Sequence, residues 1–130
     1  RRQRQMCIRD RVKAFGDLPL LLLPGSVAIE KAEAAGLRAV REAFADRNYN
    51  PDGTLVSRRE ANAVLHDPAE VAKRVLRMAT EGTITALDGS DISVGAESVC
   101  IHGDSPDAVA MAKEIARSLR EADIKVRSFL

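Results

Sequence analysis

At 130 residues the chain has the size of one ordinary domain, and 45% hydrophobic content is enough for a packed core. Twenty Lys and Arg against nineteen Asp and Glu leave a net charge of +1, with 3% aromatics and no Trp; there is neither the basic footprint nor the stacking platform of a nucleic-acid binder. The longest apolar run, Leu18 to Leu23, is interrupted by Pro19 and closed by Pro24, far short of the roughly 20 residues that cross a bilayer. Cys7 and Cys100 lie far apart with no C-x-x-C or Cys/His spacing, so neither a disulfide framework nor a zinc site is indicated and a reducing cytoplasm is expected.

Residues 1–11, RRQRQMCIRDR, carry Arg1, Arg2, Arg4, Arg9 and Arg11 with no helical or strand-like apolar period. This segment is expected to be a disordered or non-native basic extension. From Val12 onward strands and helices alternate. Leu20–Leu23 reads as a strand buried on both faces, typical of a parallel sheet. Pro24-Gly25-Ser26 then turns the chain, with Ser26 placed to cap a helix over Val27–Ala35 that Gly36 stops. Leu37–Phe44 returns as a strand carrying Val40, Glu42 and Phe44 on one face. The segment from Ala45 to about Asn62 is long for a connection in a compact domain, which marks it as a binding loop or lid. Ala63-Val64-Leu65 is expected to be a short strand.

Asp67 followed by Pro68 and Glu70 predicts a helix start, with Val71, Val75, Leu76 and Met78 on its buried face and Gly82 as its end. Thr83–Leu87 reads as a strand, Asp88-Gly89-Ser90 as a hairpin-like turn, and Ser98–Ile101 as another strand in which Cys100 is a core residue. Pro106 opens a predicted helix through Arg120, with Val109, Ala112, Ile115, Ala116 and Leu119 at helical spacing. Ile124–Val126 offers a last strand. The pattern predicts an α/β fold with a mostly parallel sheet, open or barrel-shaped.

Three positions place polar residues just past a predicted parallel strand, the edge where α/β folds bind ligands. Glu42 and Asp46 could serve as general acid or base, and Arg47 could orient a substrate carboxylate; alternatively either acid forms a structural salt bridge with Arg47. In His102-Gly103-Asp104, His102 could act as base, acid or metal ligand, and Asp104 could orient it, coordinate a cation, or simply cap the following helix. Gly103 permits close backbone approach. Ser26 is either a helix cap or a ligand contact, and His66-Asp67 combines a capping Asp67 with a histidine near the long loop.

The run Glu42-Ala43-Phe44-Ala45-Asp46-Arg47, followed by Tyr49, Asp52-Gly53-Thr54-Leu55-Val56 and Arg58, resembles the FADR-x-Y-x-x-DG-x-LV-x-R block of the LamB/YcsF family. Ala63-Val64-Leu65-His66-Asp67-Pro68 is similar to its AVIHD-P segment, Cys100-Ile101-His102-Gly103-Asp104 to its CIHGD segment, and Leu23-Pro24-Gly25-Ser26 also matches. Asn62 and Asp107 depart from the small residues usual at those places. The resemblance implies a (β/α) barrel related to the glycoside hydrolase and polysaccharide deacetylase folds, with 12–130 as the C-terminal part of a single such domain. It implies the A component of an ATP-dependent 5-oxoprolinase that opens 5-oxoproline to L-glutamate with B and C subunits. The family's DLNCD-like, CGFHAGD-like and KPHGALYN-like motifs are absent from these residues. By matching position the resemblance carries over Glu42, Asp46, His102 and Asp104 as catalytic candidates, with Arg47, Gly103 and Ser26 toward substrate; no metal is assigned. A metal-dependent deacetylase of N-acyl sugars and a non-catalytic substrate-binding scaffold stand as alternatives.

Overall fold

The computed structural model describes residues 12, 14, 16 and 18–129; the basic segment 1–11, with Cys7, lies outside them. Three parallel strands form the main sheet: β1 (Leu20–Leu22), β2 (Ala39–Phe44) and β5 (Ser98–Cys100), in the order β1-β2-β5. Leu21 pairs with Val40, and Glu42, Ala43 and Phe44 pair with Ser98, Val99 and Cys100. Because the strands are parallel, Ser26, Asp46 and His102 all follow C-terminal strand ends and share one edge of the sheet. Helix α1 (Val27–Ala34) joins β1 to β2.

A two-stranded antiparallel unit, β3 (Thr83–Thr85) and β4 (Asp91–Ser93), lies between helix α2 (Pro68–Glu81) and β5 in the chain. The Asp88-Gly89-Ser90 turn joins its strands as expected, whereas β4 itself offers no clear apolar signal in the sequence. Arg77 of α2 bonds both Glu81 and Asp91, and so ties the hairpin to the helix.

Helix α2 begins where the Asp-Pro pair predicts. Asp67 accepts from the backbone N–H groups of Ala69 (2.8 Å) and Glu70 (3.4 Å), Pro68 occupies the first turn where its missing N–H is harmless, and Gly82 closes the helix at φ 68°. Helix α3 (Ala108–Glu121) packs against α2. Val71, Ala72 and Val75 of α2 meet Met111, Ile115 and Leu119 of α3 in one core cluster. A second cluster joins Ala43 and Tyr49 to Met78, Ile84 and Val94. Ala45 belongs to the first cluster and Ala43 to the second, so the end of β2 rests on tightly packed apolar side chains.

Several boundaries differ from expectation. Helix α3 starts at Ala108 rather than Pro106, because Ser105-Pro106-Asp107 forms a turn in which the Asp107 N–H approaches Ser105 Oγ. Its buried stripe is Met111, Ile115 and Leu119, while Val109, Ala112 and Ala116 are exposed. Ile124–Val126 is not a strand; Ile124 packs against the first cluster and the backbone after α3 is irregular. Ala63–Leu65 makes one isolated bridge, Arg47 with Val64. Cys100 is half-buried rather than a core residue. The described residues form an open three-stranded parallel sheet plus a hairpin.

The Asp67 cap yields a direct test. Asp67→Ala in the full-length protein should cost about 0.5–2 kcal/mol in chemical denaturation, and Asp67→Asn should retain most of it; equal stability of Asp67→Ala and the parent would refute the capping role.

Candidate active site

Strand β2 ends at Phe44, and the next five residues turn into a densely hydrogen-bonded part of the chain. Ala45 N–H donates to the Cys100 carbonyl (2.9 Å), which carries the parallel pairing one step past the strands and sets Asp46 beside His102. Asp46 has no exposed surface. Its two carboxylate oxygens lie 2.8 and 3.0 Å from His102 Nδ1, and the His102 backbone N–H donates to Oδ2 at 3.3 Å. An ionised carboxylate only accepts, so opposite one Nδ1 is the donor of this contact, and among the described residues Nε2 makes no hydrogen bond. The Phe44 ring stacks on the imidazole, centroids 5.4 Å apart and planes 16° from parallel, which fixes the ring's other degree of freedom.

Arg47 is also buried, yet among the described residues it pairs with neither Glu42 nor Asp46. Its Nε donates to the Ala63 carbonyl (3.2 Å) and one terminal nitrogen to the Val56 carbonyl (2.6 Å), so the guanidinium staples the long loop to the sheet edge. Two bonds to backbone thus stand where the sequence allows a structural salt bridge. Arg74 of α2 reaches the Arg47 carbonyl and Asn48 Oδ1, Asn48 N–H donates to Ala63 O, and Tyr49 O accepts from Leu87 N–H. The segment 45–62 is accordingly an ordered loop bonded along most of its length, not a free lid.

Asp46, Arg47, His102 and Asp104 line one hollow of about 210 Å³, together with Arg58, Val64, His66, Ser105 and Pro106. Four of the seven expected residues thus converge. Asp104 is exposed at the hollow and neither orients His102, which Asp46 does, nor caps α3, whose N-terminal position is Asp107. Glu42 sits half-buried on β2 beside Ser98, outside the lining. Gly103 is exposed with open space around it, so no close approach among the described residues requires glycine there. Ser26 takes the N-cap position of α1 without making a cap bond, and its buried Oγ has no hydrogen-bond partner among the described residues. Arg58 and His66 are lining residues that the sequence patterns assign no role. The signal that could place His66 is its position directly after the segment that bridges to Arg47.

Burial sets the electrostatics around the dyad. The Tyr49 phenol is pushed above its ordinary 10.0 by desolvation, against the opposing pull of the Phe44 N–H it accepts (2.8 Å) and of the Arg74 and Arg47 charges. The Cys100 thiol is raised by burial and by the Glu42 and Asp46 carboxylates. Among the described residues no three His, Cys, Asp or Glu side chains gather in an arrangement fit for a metal ion.

The sequence profile of the LamB/YcsF family matches residues 2–130. The chain belongs to the LamB/YcsF family. Among curated relatives this LamB/YcsF chain is 66% identical over 122 residues to a protein of Corynebacterium jeikeium (strain K411) named as the A subunit of 5-oxoprolinase, covering 93% of the chain and 47% of that protein. It is 64% identical to the protein of the same name from Kocuria rhizophila, covering 92% and 48%. A crystal structure of a lactam utilization protein from Thermus thermophilus superposes with a TM-score of 0.89 at 43% identity, over 96% of this chain and 50% of that one. The LamB/YcsF chain thus spans about half the length of these relatives. Among its described residues no helix is long and apolar enough to cross a membrane.

The raised Tyr49 phenol fixes the sign of an alkaline effect. The unfolded phenol ionises from about pH 10 upward while the native one stays neutral, so stability is full below pH 10 and falls as pH rises through the native value. Tyr49→Phe should flatten this alkaline loss while lowering stability near neutrality by about 0.5–1.5 kcal/mol, because the half-buried Phe44 N–H loses its acceptor; denaturation midpoints between about pH 8 and 11 with an unchanged slope would contradict it.

Proposed function

We propose that this chain is the C-terminal half of the A component of an ATP-dependent 5-oxoprolinase, a cytoplasmic hydrolase that opens the cyclic amide of 5-oxoproline to L-glutamate with B and C subunits. The observation that carries the reading is the buried Asp46 carboxylate bonded to His102 Nδ1. With the proton on Nδ1, Nε2 is a lone-pair base at the edge of the hollow, the arrangement needed to take a proton from water. Names of relatives 66% and 64% identical to this chain support the substrate.

Opening the ring requires water oxygen to bond the lactam carbon, the carbon–nitrogen bond to break, and the nitrogen to leave with a proton. His102 is suited to both transfers, accepting the proton from water at Nε2 and returning it to the leaving nitrogen. Asp46 holds the imidazole in the required tautomer and stabilises the imidazolium while it exists. Asp104, which lines the hollow and has no ion-pair partner among the described residues, would hold the attacking water. Glu42 acts from behind the lining through the local charge, and Ser26, with its orphan hydroxyl on the same sheet edge, is held for a group outside this hollow.

ATP would make the lactam carbon more electrophilic by phosphorylating its oxygen. The hollow at the dyad, about 210 Å³, lies below the roughly 300–1,000 Å³ of pockets for drug-sized molecules and is too small for a nucleotide. ATP therefore enters the proposal as a requirement of the whole assembly, and no step is assigned to it. We also read the sheet as part of a (β/α) barrel, since β1 and β5 are edge strands among the described residues and parallel sheets are rarely left uncovered.

The test is glutamate release from 5-oxoproline and ATP by the full-length protein with its B and C partners. Glutamate should form only with all components. His102→Ala and Asp46→Asn should each lower kcat by about 10²–10⁴; full activity in His102→Ala would overturn the assignment.

A further inference from the structure

The hollow that holds the Asp46–His102 dyad has two arginines in its lining, Arg47 and Arg58, and they are in different states. Arg47 is buried, with Nε and one terminal nitrogen already donating to the Ala63 and Val56 carbonyls. Arg58, two residues past Val56 in the same loop, is exposed and forms no hydrogen bond or ion pair among the described residues. It nonetheless lines the hollow with His102 and Asp104. The other exposed arginine of the loop, Arg59, does not. A free guanidinium beside a small hollow has its donors available in a planar fork that matches a carboxylate.

The loop that presents Arg58 is not adrift. Val56 is buried, with its N–H on the Asn48 carbonyl (2.9 Å) and its carbonyl held by Arg47. Ala63 N–H returns to Glu60 O (3.1 Å), and Glu60 N–H to Ser57 O (2.9 Å), so residues 57–63 form a compact turn anchored at both ends. Arg47 thereby serves as the anchor, and Arg58 projects from what it anchors.

We propose that Arg58 is the substrate-specificity residue of this site: it binds the carboxylate of a small carboxylated lactam while His102 addresses the ring amide. This rests on the 5-oxoprolinase reading above and transfers to Arg58 the carboxylate contact that sequence alone offers to Arg47. Selectivity follows from charge. A lactam without a carboxylate leaves Arg58 solvated and gains nothing from it, whereas the carboxylated ring replaces solvent with a charge-assisted pair.

The experiment uses the full-length protein with its B and C partners and compares the parent, Arg58→Ala, Arg58→Lys and Arg59→Ala. KM and kcat are measured for 5-oxoproline, and the inhibition constant for 2-pyrrolidinone, the same ring without the carboxylate. Arg58→Ala should raise KM for 5-oxoproline about ten- to a hundredfold while kcat changes no more than about twofold. The inhibition constant for 2-pyrrolidinone should not move, Arg58→Lys should restore part of the loss, and Arg59→Ala should match the parent. An unchanged KM in Arg58→Ala overturns this proposal and leaves the 5-oxoprolinase reading standing. A parallel rise for 5-oxoproline and 2-pyrrolidinone also overturns it, since Arg58 would then shape the hollow without reading the carboxylate. No glutamate from the parent assembly overturns the reading on which it rests.

Discussion

A carboxylate without exposed surface is costly unless its lone pairs are satisfied, and at Asp46 they are satisfied by His102 from a strand end 56 positions away. Much else in the described chain follows from holding these two residues together. The parallel pairing of β2 with β5 brings the strand ends side by side, and the Ala45 to Cys100 hydrogen bond extends that pairing to the residue before the dyad. Phe44, the last residue of β2, closes over the imidazole. The apolar clusters beneath, with Ala45 against α2 and α3 and Ala43 against the hairpin, keep this edge from yielding.

The loop after Asp46 converts local order into a site. Its buried cation is matched not by an acid but by two carbonyls, which gives Arg47 the role of a tie between the strand end and residues 56 and 63. Arg74 of α2 reinforces the same segment. Residues of this loop and of the His102–Ser105 turn together line the hollow. In that lining Asp46, Arg47 and His102 are therefore held by bonds to the chain around them before any ligand arrives.

Helix and strand order is legible wherever a local rule decides the structure. Asp67-Pro68 and Gly82 mark the ends of α2 because capping acts within a few residues. The sheet edge is legible for the same reason: Asp46 and His102 follow segments that read as strands. What escapes depends on distant partners. The Ser105-Pro106-Asp107 turn delays α3 by two residues, and the buried face of α3 is set by packing on α2 rather than by its own sequence, which offers Val109 and Ala116 equally well. Ile124–Val126 has strand-like residues but no neighbouring strand among the described residues. Arg47 beside Asp46 invites an ion pair, and only the fold reveals that the carboxylate faces His102 and the guanidinium faces the loop. The motif resemblance reaches Asp46 and His102 together, whereas their contact, and the unpaired state of Arg58 among the described residues, emerge only from the folded arrangement.

The most direct test of the account is the protonation of the His102 ring in the full-length protein, read from nitrogen-15 shifts and couplings of selectively labelled histidine, with His102→Gln used for assignment. The account predicts a proton on Nδ1, held by the Asp46 carboxylate and lost from that position in Asp46→Ala. A bare Nδ1 with the proton on Nε2 would contradict it, because Asp46 would then not be the group that orients the histidine.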